Sequence, residues 1–535
     1  FSKEELAVGG YVTGAAGVAI YRGNAFPPEY RGDSFTAEPA GNVVIRLRVQ
    51  PAGVTFDAQP THEGREFLAS SDNWFRPVNL VNSPDGCLYL CDMYREIIED
   101  PSAIPDDILT LVDVTAGRDR GRIYRIAPAE FKRQQPPHLE TFSTPRLVAE
   151  LESRNGWVRE TAQRLLVERG DEGALTPLRR LLKGSESPEA RLHALWTLAG
   201  LQGADERVLL RALNDAHFAV REHAVKIAEQ RMEDSPRIRE QMHLRAGDSH
   251  LRVRLQVAFA LGGLRDRGAA VASLVNIARR DAADPWIPQA VLSSVPHDAD
   301  KLFAELLGDS KFAATASGQA LLGRTAELVG AAGDDAAVAR MLGSMLAAAE
   351  PGPLLERLNL GRERSGHTLA SAVAVQPESS RLQLNALMDR AREVAGDASA
   401  QLTDRLQAVA LLRLAPSPAV LETLGDLLSP REPTELQLAA MSSLASYDDE
   451  PVATLLLERW HDFTPALRGE AVETLLRSPP RAQLLLEAIG KGRISPADFD
   501  PARRQALLSH ANDDIRTLAE RVFQAATKAD RAESI

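Results

Sequence analysis

Two hydrophobic rhythms divide the chain. Up to about residue 128, apolar and polar positions alternate over short stretches. Val43-Val44-Ile45-Arg46-Leu47-Arg48-Val49 follows Gly41-Asn42, and Leu88-Tyr89-Leu90-Cys91 follows the turn Pro84-Asp85-Gly86. A period of two bounded by turn residues predicts strands of an antiparallel sheet. Gly121-Arg122-Ile123-Tyr124-Arg125-Ile126 predicts one more. Between them, residues 100–113 carry Pro101 and Pro105 and predict a loop with a short helix. Pro128, Pro136, Pro137 and Pro145 then mark residues 129–143 as a semi-rigid linker.

From Thr144 the spacing becomes helical, and a unit recurs in which a polar turn precedes Val-Arg or a close variant and a Leu/Ala-rich helix. Arg159, Arg191, Arg221 and Arg254 stand 32, 30 and 33 positions apart. A near-regular period of this size predicts a solenoid of stacked helix pairs, none of which buries its apolar face alone. The units are similar to HEAT-like repeats. Asp215 and Asp248 each precede an arginine by six, which places them in the inter-helix turns, where they can form a ladder with arginines between neighbouring repeats. The pattern fades between about 268 and 400, where Pro351-Gly352-Pro353 is expected to break the array, and returns at Thr434–Ala440 and Leu467–Leu476. A last helix is expected after Asn512, then a polar tail over 527–535.

Composition narrows the classes. A chain of 535 residues exceeds one compact core, and an aromatic share of only 5% suits stacked helices. A net charge of -12 with no strongly basic run argues against duplex DNA, where affinity rests on neutralising phosphates. The basic run Arg118, Arg120, Arg122 and Arg125 reads as a solvated strand face. No apolar run approaches the roughly 18 residues of a membrane span. Cys87 and Cys91, the only cysteines, lie about 13 Å apart on an extended strand, beyond the about 7 Å Cα limit for a disulfide. They read as small apolar side chains of a sheet core. Histidine pairs six (His217, His223) and seven (His243, His250) apart do not match metal-ligand spacing on a helix, and no metal site is expected.

Several blocks in order carry a family resemblance. They are Ile20-Tyr21-Arg22-Gly23, Tyr30-Arg31-Gly32-Asp33, Phe67-Leu68-Ala69-Ser70, Trp74-Phe75-Arg76-Pro77-Val78, Pro84-Asp85-Gly86, Asp92-Met93-Tyr94-Arg95 and Asp119 to Ile126. Together they resemble the last propeller blades of a planctomycete-type (PVC-type) family described as membrane-bound dehydrogenases or haem-binding Cys-x-x-Cys-His proteins. The resemblance implies a partial β-propeller over 1–128, a HEAT-like α-solenoid over 144–526, and an exported protein of the periplasm or cell surface. In the parent protein it implies a haem c domain, and pyrroloquinoline quinone in a propeller similar to sugar dehydrogenases. Phe1 begins where the family already has several blades, no Cys-x-x-Cys-His occurs, and Ile98-Glu99-Asp100-Pro101 replaces the family's Ile-Glu-His-Pro. The region of the catalytic base is missing, so the fragment alone is not expected to turn over substrate.

By the same resemblance Arg76 is the candidate cofactor residue, its forked guanidinium suiting a quinone carboxylate; alternatively it pairs with a carboxylate such as Asp92. Asp92, Tyr94, Arg95 and Glu99, gathered where a strand ends, form either a polar ligand pocket or an ion-pair network that ties down the 100–113 loop. Two functions follow. One is a fragment of a redox protein acting on a sugar or polyol. The other is a non-catalytic scaffold that binds protein partners on its solenoid, marked by an exposed apolar or charged stripe.

Overall fold

The structure is a computed structural model and describes residues 14–98, 102, 104–133, 135–348, 351–367, 369–415, 417–447, 449–496, 499 and 501–533. The chain divides into two compact units, residues 1–295 and 296–535.

The first unit opens with two antiparallel sheets. Strands β1 (Val18–Ile20), β2 (Ser34–Glu38), β3 (Val43–Ala52) and β4 (Thr55–Pro60) pair in sequence order, and β5 (Leu68–Ala69) also pairs with β3. Strands β6 (Pro77–Asn82), β7 (Leu88–Asp92) and β8 (Arg122–Ile126) form the second sheet in that order. The alternation read from the sequence sets the core. Phe35, Ala37, Val44, Leu80, Leu88 and Leu90 point inward and close on Tyr21 and Phe75. Arg46 is buried with them, its Nε 2.7 Å from Asp33 Oδ2 and its guanidinium stacked on Tyr30. Strand β8 lies at the end of its sheet with Arg122–Arg125 exposed.

Both cysteines are free, as the spacing required. Cys87 is fully buried, and burial together with Asp85 pushes its thiol up to about 12. Cys91, on the outer side of β7, is only half-buried, which corrects its reading as a core residue. A short helix, α1 (Asp106–Leu109), occupies the described part of the 100–113 loop. Residues 139–142 are anchored: Leu139 and Phe142 are buried, and Arg169 donates to the carbonyls of Phe142 (2.6 Å) and Glu140 (2.8 Å).

Helices then alternate between two layers. The chain order is α2 (Thr144–Glu150), α3 (Gly156–Arg169), α4 (Leu175–Gly184), α5 (Pro188–Gly200), α6 (Glu206–Leu213), α7 (Phe218–Ala228), α8 (Pro236–Arg245), α9 (Leu251–Leu261), α10 (Arg267–Asp281) and α11 (Ile287–Ser293). Helices α3, α5, α7, α9 and α11 stack in succession, while α2 packs with α4, and α8 with α6 and α10. The polar turns supply the caps: Asn155, Ser187, Asp205, Ser235 and Asp266 each accept from an amide of the helix that follows.

In the second unit the expected gap is filled. Helices Ala316–Ala331 and Gly352–Arg364 run through it, and Pro351 and Pro353 sit where the second helix starts. Proline at a first helical turn needs no donor, so these residues open a helix where the sequence reading had the array broken. Glycine has a packing reason here. A Cβ on Gly330 would lie 2.3 Å from the Leu358 carbonyl oxygen, and one on Gly361 2.2 Å from that of Glu327, so the two backbones meet directly. Asn512 caps the last helix, Asp513–Glu533, as expected, and that helix continues through most of the stretch read as a tail.

Candidate functional site

The residues singled out in the sheet domain converge where β6 begins and β7 ends, with Pro77 opposite Asp92. Asp92 is 3% exposed, and its Oδ1 accepts from the amides of Arg76 (2.8 Å) and Tyr94 (2.9 Å). Its Oδ2 is buried without a hydrogen-bond partner. Tyr94 takes a left-handed φ of 49° and turns the chain out of the strand. Its ring meets Trp74 at 5.6 Å and lies beneath the Arg122 guanidinium at 3.5 Å. The Arg95 amide donates to Trp74, and its guanidinium to the Gly117 carbonyl. Gly117 is required there: its φ is +82°, and a Cβ would lie 2.4 Å from the Tyr94 carbonyl oxygen.

Arg76 binds main-chain carbonyls. Its Nε donates to Arg95 (3.0 Å), Nη1 to Pro39 (2.9 Å) and Nη2 to Glu96 (2.6 Å). The guanidinium thus joins the β2–β3 turn to the chain leaving β7, and Asp92 meets the amide of Arg76 through hydrogen bonding. The structure brings Arg76 next to Asp92, Tyr94 and Arg95. Glu99 lies outside the described residues, as does Asp100.

The ladder is built as the resemblance to HEAT-like repeats implied. Arg191 chelates Asp215 through Nε and Nη2, both at 2.8 Å. Arg221 holds Asp248 in the same way at 2.8 and 2.7 Å. The third rung joins Arg254 to Asp281 at 2.6 and 2.7 Å. Each Nη1 donates to the carbonyl six residues back: Ser185, Asp215 and Asp248. Burial alone would lift the Asp248 carboxyl, but Arg221 and the His250 amide hold it below the usual range. Asp281 was missed in the sequence, although it follows Asp248 by the same 33 positions that separate Asp248 from Asp215. A related pair, Arg405 Nη1 and Glu432 Oε2 at 2.8 Å, recurs in the second unit.

Two features had no sequence reading. The first is the junction of sheet and solenoid. Asn155 Nδ2 donates to the carbonyls of Ser83 (3.0 Å) and Pro84 (3.1 Å), so the turn before β7 rests on the cap of α3. The Gly156 amide donates to the Arg22 carbonyl at 2.8 Å, and a Cβ there would strike the Arg22 side chain. The Asn-Gly pair at a helix start was the available signal. The second is a surface row. Five positions after Arg159, Arg191, Arg221 and Arg254 stand Arg164, Trp196, Lys226 and Phe259, on the successively stacked helices α3, α5, α7 and α9. Trp196 is 37% exposed and Phe259 48%. Trp196 Nε1 donates to His223 Nδ1 at 3.0 Å, which fixes the indole on the surface. Arg164 pairs with Glu168 and Lys226 with Glu222. Next to Trp196, His193 Nδ1 lies 2.6 Å from Gln163 Oε1, and burial, with Arg159 and Arg22 nearby, lowers its pKa to about 4.

No helix among the described residues is long and apolar enough to cross a membrane. Two family models match the chain. A domain of unknown function (DUF7133) matches residues 2–130, and HEAT repeats match residues 144–209. No curated protein matches. Among solved structures, the karyopherin Kap121p bound to the extreme C-terminus of the protein phosphatase Cdc14p is 11% identical, over 72% of this chain and 53% of that one, with a TM-score of 0.37. Yeast importin-beta (Kap95p) is 15% identical, over 73% and 57%, with a TM-score of 0.30. The match therefore spans just over half the length of these solved chains. The chain consists of an N-terminal sheet domain matching DUF7133 and, after it, a helical solenoid of HEAT-like repeats.

Proposed function

We propose that the chain is a protein-binding scaffold whose solenoid receives an extended peptide segment across helices α3 to α9. The observation that carries this reading is the row Arg164, Trp196, Lys226 and Phe259, in which cation and aromatic ring alternate from one helix to the next. Packed helices lie about 8–10 Å apart, and a segment in the extended polyproline II conformation advances about 3.1 Å per residue with three residues per turn. Every third residue of a crossing segment therefore faces a new helix. A segment that alternates acidic and apolar side chains at that interval matches the row. A rigid aromatic anchor such as Trp196 contributes most to such binding.

The test uses synthetic peptides with acidic and apolar residues alternating every third position, with the part of the tryptophan emission that is lost in Trp196→Phe as the readout. Binding shifts the emission to the blue, and Phe259→Ser weakens it at least tenfold. A peptide with the acidic positions replaced by lysine binds no better than buffer. Equal binding of the two peptides removes the proposal.

A second reading rests on the sequence blocks quoted above: an exported redox protein whose parent carries haem c and pyrroloquinoline quinone, with Arg76 on the quinone. Such contact requires the Arg76 guanidinium to exchange main-chain carbonyls for the quinone carboxylate. Quenching of tryptophan emission by pyrroloquinoline quinone that disappears in Arg76→Lys supports it, and identical quenching in both chains rejects it.

A further inference from the structure

We propose that Arg159 is an open rung of the ladder and that its guanidinium binds a small carboxylate. In the three closed rungs each arginine does two things. Nη1 bonds to the carbonyl six residues back, and Nε with Nη2 chelates the aspartate of the next repeat. Arg159 does the first: its Nη1 donates to the Ser153 carbonyl at 2.6 Å, again six residues back. The guanidinium therefore starts from the same place in the repeat. The second partner differs. The next repeat's equivalent of Asp215 is Ser185, whose carbonyl accepts from Arg191 as that of Asp215 accepts from Arg221. The Ser185 hydroxyl is directed to Glu152 at 2.5 Å.

Arg159 is consequently a buried cation, 5% exposed, with Nε buried and without a hydrogen-bond partner. The carboxylates nearby are engaged elsewhere. Glu160 pairs with Arg22, and Glu189 lies 3.7 Å from Arg31. Burial, and then the neighbouring charge of Arg31, disfavour the charged form of Arg159, as expected where one anion is lacking. The ligand class follows from the sister rungs, which hold a planar monoanion in the arginine fork at 2.6–2.8 Å. The site does not depend on the peptide-binding reading.

The experiment compares formate with chloride at equal ionic strength on the full chain, following thermal unfolding and the titration of His193 by NMR. In the wild type, formate raises the midpoint of the first unit progressively and raises the pH at which His193 titrates, because one of the cations acting on that ring is neutralised. Ser185→Asp closes the rung within the chain: its midpoint starts about 2–4 °C higher, and the formate response is lost. A blocked tripeptide, acetyl-Ala-Asp-Ala-amide, separates the two sources of the ligand. A response to it shows that an acidic side chain reaches the fork; a response to formate alone shows that only a free small anion does. The proposal is overturned if formate and chloride act alike on the wild type, or if Ser185→Asp keeps the formate response. Should Ser185→Asp not fold, the wild-type His193 titration decides.

Discussion

At the scale of single residues, this chain puts buried charge into repeated pairs. In the Arg221–Asp248 pair the aspartate side chain is 1% exposed and the arginine 10%. Removing one partner of such a pair leaves an uncompensated charge, and Asp248→Asn is expected to cost about 3–5 kcal/mol of stability in urea unfolding. Asp205→Asn, at an exposed pair with Arg179, is expected to cost less than about 1 kcal/mol. His193 sets a pH window. Unfolded it titrates near 6.5, and folded near 4. Between those values the unfolded chain binds more protons, so stability falls as pH drops through the window, by up to about 2–3 kcal/mol. His193→Gln should flatten that part of the profile, and a profile identical to the wild type would remove the assignment. The ladder was legible because its partners recur at a fixed interval. The partners of Arg76 were not, because carbonyls from two distant turns carry no side-chain signature.

At the scale of elements, the lesson lies in glycine. Between 316 and 364 the sequence reads as a fading repeat because glycine and alanine weaken the apolar pattern. In the structure those residues let helices Ala316–Ala331 and Gly352–Arg364 touch backbone to backbone. Gly361→Leu is expected to destabilise the second unit by more than about 3 kcal/mol, since the colliding atom is a carbonyl that cannot turn away. Hydrogen exchange should then rise throughout 316–364 and stay unchanged in α3 to α9. The strands were easier to foresee, because alternation and turn residues agree at β3, β7 and β8.

At the scale of the whole molecule, the two units should unfold separately, giving two transitions in denaturant. Within the first unit the sheet domain depends on its neighbour. Asn155 and Gly156 dock it to α3, and among the described residues β8 is the last strand of its sheet, with Ile123 72% exposed. Residues 1–128 alone are expected to aggregate, whereas 1–295 should be monodisperse with both strand and helix signals in circular dichroism. A soluble, β-rich 1–128 fragment would falsify that dependence.

The ladder has one more consequence, for how such a chain can change length. Arg221 and Asp248 are 27 positions apart, and so are Arg254 and Asp281. Excising residues 222–254 joins Arg221 to Leu255 and leaves Asp281 the same 27 positions downstream. The new neighbours inherit a matched pair at once. Duplication of the same stretch keeps the phase as well. Gene segments of this size can be lost or copied without stranding a ladder charge, so a chain built this way can change its span by whole repeats while its buried pairs stay matched.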